Sequence, residues 1–355
     1  MERHLQAISP DLMWEFGHAV RGDGHRLVIT PEAEKHLRPM VQTLLERAPS
    51  LPGWEFYANR LPEDLEMAHQ MVTVRAGGDL SGTLATAMIA QHSRINLCYY
   101  SHATRNTHDK QALHNAFVAT ETLLGEELLD KWVGSISVDR LRRSSGIAKL
   151  LHRGGQAIRG LIPLERLRPT VSALVASIQD QLPNKPLSVL QPDIDAPDSQ
   201  TTHFLMELEP TPADEYSGRQ DLFVAGTANA NLCRAMREDA LFYSERYSRH
   251  GENFCYLKLD GKAGLDEEMF PDRASIEGAL NEILVPALAG CVIGGGTGLR
   301  YSYIDLALAN VNAALPLIKT RLHAGKVNRR SWLLFFDATL AEEWIGIYDD
   351  SPAPP

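Results

Sequence analysis

The stretch Cys291–Leu308, CVIGGGTGLRYSYIDLAL, decides how this chain is read. Its glycines invite a phosphate-binding reading, and the residues after them refuse it. A dinucleotide fingerprint needs GxGxxG at the opening of a helix. Counted from Gly294 the sixth position is Leu299, and counted from Gly296 it is Tyr301. A P-loop needs GK followed by Ser or Thr, and the run contains no lysine. Beyond Arg300 the chain alternates with period two: Tyr301 and Tyr303 fall on one face, Ser302 and Ile304 on the other. That is a strand, so no helix N-terminus aims its N–H groups at an anion. The expectation is a glycine-rich hairpin turn at Gly294–Gly298 between two strands.

A second reading keeps the glycines functional. Successive glycine N–H groups can form an anion nest, and Arg300 stands beside them. The candidate ligand-binding residues are then Gly294, Gly295, Gly296, Thr297, Gly298, Arg300, Tyr301, Tyr303 and Asp305. Asp305 is the one acid inside an otherwise apolar strand. A ligand site would show a concave pocket at the turn with Asp305 or Arg300 facing into it. A binding module would show an exposed apolar patch, with those residues packed or scattered.

Outward from this hairpin, the C-terminal part reads strand (254–260), helix (274–289), strand, glycine turn, strand, helix to 322, strand (331–337). Strand-like segments at HFLMELEP and DLFVAGT precede it, with a helix over 228–238. The order β-α-β-β-α-β is that of the ferredoxin-like sandwich. Pro286 and Pro316 fall inside the two helices, where an interior proline costs about 3 kcal/mol. A kink or a restart is expected at each.

The N-terminal part opens with a hairpin, LMWEFGHAV and HRLVITP around RGDG. Thr30 and Pro31 read as the start of a helix whose apolar stripe runs from Ala33 to Ala48. Strands are expected over 53–60, 70–76, 94–101 and 132–138, and a helix over 110–130. The run INLCYYS, helix, WVGSIS echoes NFCYLKL, helix, CVIGGG.

Between these halves, 140–168 holds eight Lys or Arg against one acid, Glu165. A proline-rich stretch, 183–202, comes next and reads as an extended linker. The fold expectation is therefore α+β, with two α/β-sandwich-type domains. These are an N-terminal domain over 1–139, a basic helical segment and linker over 140–202, and a ferredoxin-like domain over 203–355.

Composition limits function. The 355 residues carry a net charge of −10, which disfavours broad contact with nucleic acid or anionic membranes. The basic segment lacks the interleaved aromatics that single-stranded nucleic acid would want. No signal peptide opens the chain and no membrane-length apolar run occurs, so a cytoplasmic location is expected. Cys98, Cys233, Cys255 and Cys291 form no CxxC pair and read as reduced, buried thiols. His92, His102, His108 and His114 cluster without HExxH spacing, so no metal is expected. No GxSxG or β-lactamase motif is present, and no cofactor is implied. The leading expectation is a non-enzymatic cytoplasmic regulatory or protein-binding protein, acting on a protein partner or as a homodimer paired through its C-terminal sheet. The alternative is a small anionic-ligand-binding protein or enzyme centred on the glycine turn.

Overall fold

The computed structural model describes residues 2–141, 160–190, 204–238, 240–261 and 269–355. Five of the eight basic residues of the basic segment (Arg142, Arg143, Lys149, Arg153 and Arg159) lie outside the described residues, as do 191–203 of the proline-rich stretch and most of 265–269. The described chain is mixed α and β, with three sheets and ten helices. No helix among the described residues is long and apolar enough to cross a membrane. Its contacts divide it into two units, Met1–Ile178 and Gln179–Pro355.

The first unit starts with α1 (Glu2–Gln6), then β1 (Met13–His18), β2 (His25–Thr30), α2 (Arg38–Glu46) and β3 (Trp54–Tyr57). β1 and β2 pair antiparallel, as their alternation predicts, and β3 joins β2 in parallel. The connection between β1 and β2 is longer than a two-residue turn. Gly24 is held at φ +141°, where a Cβ would stand 2.2 Å from the carbonyl oxygen of Gly53. The helix expected at Thr30 starts later. Thr30 is the last residue of β2, and its buried hydroxyl donates to Glu126 (2.5 Å) instead of capping a helix.

The remainder of this unit is α3 (Leu65–Met71), β4 (Leu84–Ile89), β5 (Ile95–Ser101), α4 (Lys110–Leu124), α5 (Glu126–Trp132), β6 (Val133–Arg140), β7 (Ile162–Pro163) and α6 (Leu167–Asp180). The strand expected at 70–76 is helical instead. Asp64 caps α3 by accepting from the Met67 N–H (2.9 Å), and a π-helical turn carries the chain on to Ala76. Ala68 and Val72 are buried at helical, not alternating, spacing. The helix expected over 110–130 is broken at Gly125, at φ +75°, against the ring of Pro62.

The four-stranded sheet runs β6-β5-β4-β7, with β5 and β6 parallel and the other pairs antiparallel. Helices α3, α4 and α6 bury Ala68, Ala119, Leu123, Leu167 and Val171 against Ile95, Leu97 and Val138. Leu164, Leu167, Val171 and Ile178, an apolar stripe whose spacing predicts a helix to about Gln181, belong to this core.

In the second unit the elements are α7 (Leu187–Leu190), β8 (Phe204–Glu207), β9 (Leu222–Thr227), α8 (Ala230–Arg237), β10 (Asn253–Asp260), α9 (Arg273–Leu284), β11 (Gly290–Gly298), β12 (Tyr301–Leu308), α10 (Val311–Ala324), β13 (Ser331–Phe335) and β14 (Trp344–Gly346). One seven-stranded sheet holds them in the order β14-β13-β10-β12-β11-β9-β8, with every neighbouring pair antiparallel.

Alternation along the central strands sorts side chains to two faces. Cys255, Leu257, Leu259, Ile304, Leu306 and Leu333 meet α9 and α10. Tyr256, Tyr301, Tyr303 and Trp332 point the other way, toward Tyr216, Leu222 and Cys233. α9 opens on a capping box, with the Asp272 carboxylate accepting from the Ser275 N–H (2.8 Å). It ends at Leu284, so Pro286 lies beyond it. Pro316 sits inside α10, which continues past it.

Candidate functional site

The glycine run is a strand, not a turn. Gly294, Gly295, Gly296, Thr297 and Gly298 belong to β11, paired to β9 on one side and to β12 on the other. A strand flanked on both sides gives its backbone N–H and C=O groups to the two ladders. Glycine is needed here for close approach. A Cβ on Gly294, at φ +153°, would stand 2.3 Å from the Gly226 carbonyl oxygen, and one on Gly298 would meet the Asp221 carboxylate at 2.2 Å. The connection to β12 is only Leu299 and Arg300.

That short connection does present N–H groups to an anion, and the chain supplies the anion itself. Oδ2 of Asp221 accepts from the backbone N–H groups of Arg300 and Tyr301, both at 2.8 Å. The Tyr303 hydroxyl donates to the other oxygen of the same carboxylate. Asp221 is fully buried.

The remaining predicted residues are brought together on one face of the sheet. Arg300 pairs through Nε with Asp260 (3.1 Å) and through Nη1 with Glu215 (3.3 Å). The Tyr301 hydroxyl donates to Glu215 and accepts from Nη2 of Arg330 (2.8 Å). Asp305 is fully buried and receives Nη1 of Arg219 at 2.5 Å. The Arg219 guanidinium lies over the rings of Tyr256, Tyr303 and Phe336, at 5.2, 5.1 and 5.4 Å. Lys258 is also fully buried, with Nζ 4.2 Å from the Tyr301 ring centroid and donating to the Tyr216 carbonyl (2.6 Å).

Burial governs the acid–base character of this cluster. It pulls Lys258 down to about 8, against the attraction of Asp221 and Glu215. It pushes Tyr301 up to about 12, with help from the Glu215 carboxylate, and drives Tyr303 up as well. Burial works against the charge of Glu215. The Tyr301 hydroxyl, the Tyr216 N–H and the cations Arg300 and Arg330 nevertheless hold it below the usual carboxylate range.

Asp221, Glu215, Arg219, Lys258 and Arg330 carry no sequence signal of their own. Their partners lie far along the chain, 79 residues for Asp221 and Arg300. Two clefts lie in the first unit, and none of the nine predicted residues lines either.

The first unit has its own buried charges. Glu126 accepts from Arg38 (2.7 Å), Thr30 (2.5 Å) and the Arg60 N–H (2.9 Å). Arg60 reaches Glu15, Glu32 and Glu121. These pairs tie the three-stranded sheet to α4 and α5.

The histidines stay apart. His102 bonds the Leu141 carbonyl (2.6 Å), and His108 and His114 are exposed. Among the described residues no three His, Cys, Asp or Glu side chains gather as a metal-binding group. None of the four cysteines forms a disulfide. Burial pushes the Cys291 thiol up to about 12, away from nucleophilic character.

No known protein family, curated protein or solved structure matches this chain.

Proposed function

We propose that this is a non-enzymatic protein-binding or regulatory protein of the cytoplasm, built from two α/β-sandwich-type domains of which the C-terminal one is ferredoxin-like. The order β13-β10-β12-β11 supports the ferredoxin-like assignment, because it is the fourth, first, third and second strands of a βαββαβ unit. Four cysteines without a disulfide suit a reducing compartment.

One observation carries the functional reading: an uncovered aromatic ledge on the three-stranded sheet. Helix α2 covers Trp14, Leu27, Ile29 and Phe56 at one end of that face. Beyond it, Phe16 and Trp54 remain 58% and 37% exposed, with ring centroids 6.0 Å apart. Exposed His18 and His25 flank them, and the His25 ring lies 5.3 Å from Trp54. Aromatic residues of this kind anchor protein interfaces. The residues suspected of chemistry argue the same way, being bonded to one another and to neighbouring side chains.

The occupant this surface fits is a second copy of the chain. β1 is the outer strand of its sheet and so has a free edge for pairing. The ledge carries no carboxylate, so two acidic chains meet there without like-charge repulsion. Sedimentation equilibrium tests this. The wild-type chain is expected to dimerise at micromolar concentration, and Phe16→Asp or Trp54→Asp to be monomeric with unchanged circular dichroism. A wild-type monomer throughout that range overturns self-association.

A further inference from the structure

β5 and β6 are parallel neighbours, and both end at the same side of their sheet, at Ser101 and Arg140. In α/β sheets a crevice opens outside the carboxyl ends of such strands, where the connections diverge. Here the crevice is a cleft of about 250 Å³, framed by the end of β5, the segment 79–83 and the first two turns of α4. That is just below the usual range of ligand pockets, about 300–1,000 Å³, and gives room for a single sugar ring.

The walls divide into two chemistries. The interior presents Ser101, Thr104, Asp109, Gln111 and Asn115. Asp109 is held below the usual carboxylate range by the backbone N–H groups of Arg105 and Ala112, so it stays ionised. Ser101 accepts from the Ala103 N–H through Oγ (3.2 Å), which leaves its hydroxyl proton to give. Asn115 accepts from Gln111 through Oδ1 (2.9 Å), which leaves its amide N–H groups. A hydroxyl donor, an amide donor and a carboxylate acceptor together match the hydroxyls of a polyol.

A second, basic cleft adjoins the first through Arg105, which lines both. His102, Arg105 and Arg140 line it, with Asp139 as its one acid. Arg26, Arg38, Arg60, Arg75, Arg219, Arg300 and Arg330 are all ion-paired. Neither the Arg105 nor the Arg140 guanidinium makes an ion pair among the described residues. Both are exposed. Two unspent forks on one rim suit the bidentate recognition of a phosphate.

We propose that the two adjoining clefts together bind a small phosphorylated sugar or polyol. Arg105 and Arg140 take the phosphate, and Ser101, Asp109 and Asn115 take the hydroxyls. The site is separate from the aromatic ledge and adds a ligand to the protein-binding reading.

Isothermal titration calorimetry of the full chain tests it, with glucose 6-phosphate as the probe and glucose and inorganic phosphate as its two halves. Glucose 6-phosphate is expected to bind more tightly than either half. Arg105→Ala and Arg140→Ala should each weaken it about tenfold or more, the range of a lost charge-assisted hydrogen bond. Asn115→Ala should weaken glucose 6-phosphate while leaving inorganic phosphate unchanged, with Ser101→Ala as a second interior variant should Asn115→Ala unfold. Circular dichroism checks the fold of every variant. The proposal is overturned if glucose 6-phosphate, ribose 5-phosphate and glycerol 3-phosphate all fail to bind at millimolar concentration. It is equally overturned if inorganic phosphate binds as tightly as the sugar phosphates and both interior variants leave them unaffected.

Discussion

The two units use the same local succession, strand then helix then strand, to opposite ends. In the first unit β5 and β6 lie side by side, and their carboxyl ends leave a polar cleft. In the second, β10 and β11 are separated by β12, which pairs with both. The inserted strand fills the middle of the sheet and carries Tyr301, Tyr303 and Asp305 into a packed, ion-paired face. The sequence echo between the two segments is not matched in sheet order. Polar residues on a strand thus mean one thing beside an open crevice and another beneath a covering layer. Arg219 and Asp305 pair with each other in the interior. Arg105 and Arg140 face water at a rim.

The most severe challenge to this contrast is to remove one partner of the buried pair. Asp305→Ala leaves the Arg219 charge uncompensated and should cost about 3–5 kcal/mol in urea unfolding. Replacing both, with Arg219→Met and Asp305→Leu, should restore most of that loss. A single-variant cost below about 1 kcal/mol would mean that this face is not the closed interior described.

A second test uses pH. Lys258 titrates near 8 in the folded chain, below its ordinary 10.5. Between those values the Lys258 proton is held by the unfolded chain and not by the folded one, so the Lys258 contribution to unfolding free energy rises with pH from 8 upward. That contribution is full above 10.5 and is lost as pH falls through 8. The buried thiols of Cys255 and Cys291 act in the reverse sense from pH 9, and Tyr256 and Tyr301, pushed up to about 12, from pH 10, because the folded state then holds the protons. Denaturant titrations at stepped pH isolate the Lys258 term as the difference between wild type and Lys258→Met, in which the opposing groups cancel, and that difference should shift in favour of the wild type as pH rises from 8 to 10.

The mildest outcome belongs to the open unit. Arg105→Ala removes an exposed side chain without an ion pair, so stability should stay within about 0.5 kcal/mol of wild type. A larger loss would show that the cleft rim carries the fold and so blur the contrast.

Legibility tracks the range of the interactions. The central strands of the second unit are readable because Tyr301–Asp305 and Cys255–Leu259 alternate, and a two-residue period reports a strand whatever it pairs with. The segment 70–76 misleads because short apolar runs satisfy both periods. The Asp64 cap and the buried Ala68 and Val72 settle it as helix. The glycine run misleads for a different reason. Glycine permits turns and also permits strands to pack closely, and the crowding by Gly226 and Asp221 that selects the second use comes from 68 or more residues earlier in the chain.

Local periodicity alone was enough for the mixed α and β character, for most element positions, and for which of the central strand residues share a face. It could not place β12 between β10 and β11, bring Asp221 to the N–H groups beside the glycines, or set Arg105 and Arg140 on one rim. Those three features exist only in the folded chain. Each joins residues far apart in sequence, and local patterning carries no record of which distant group will arrive.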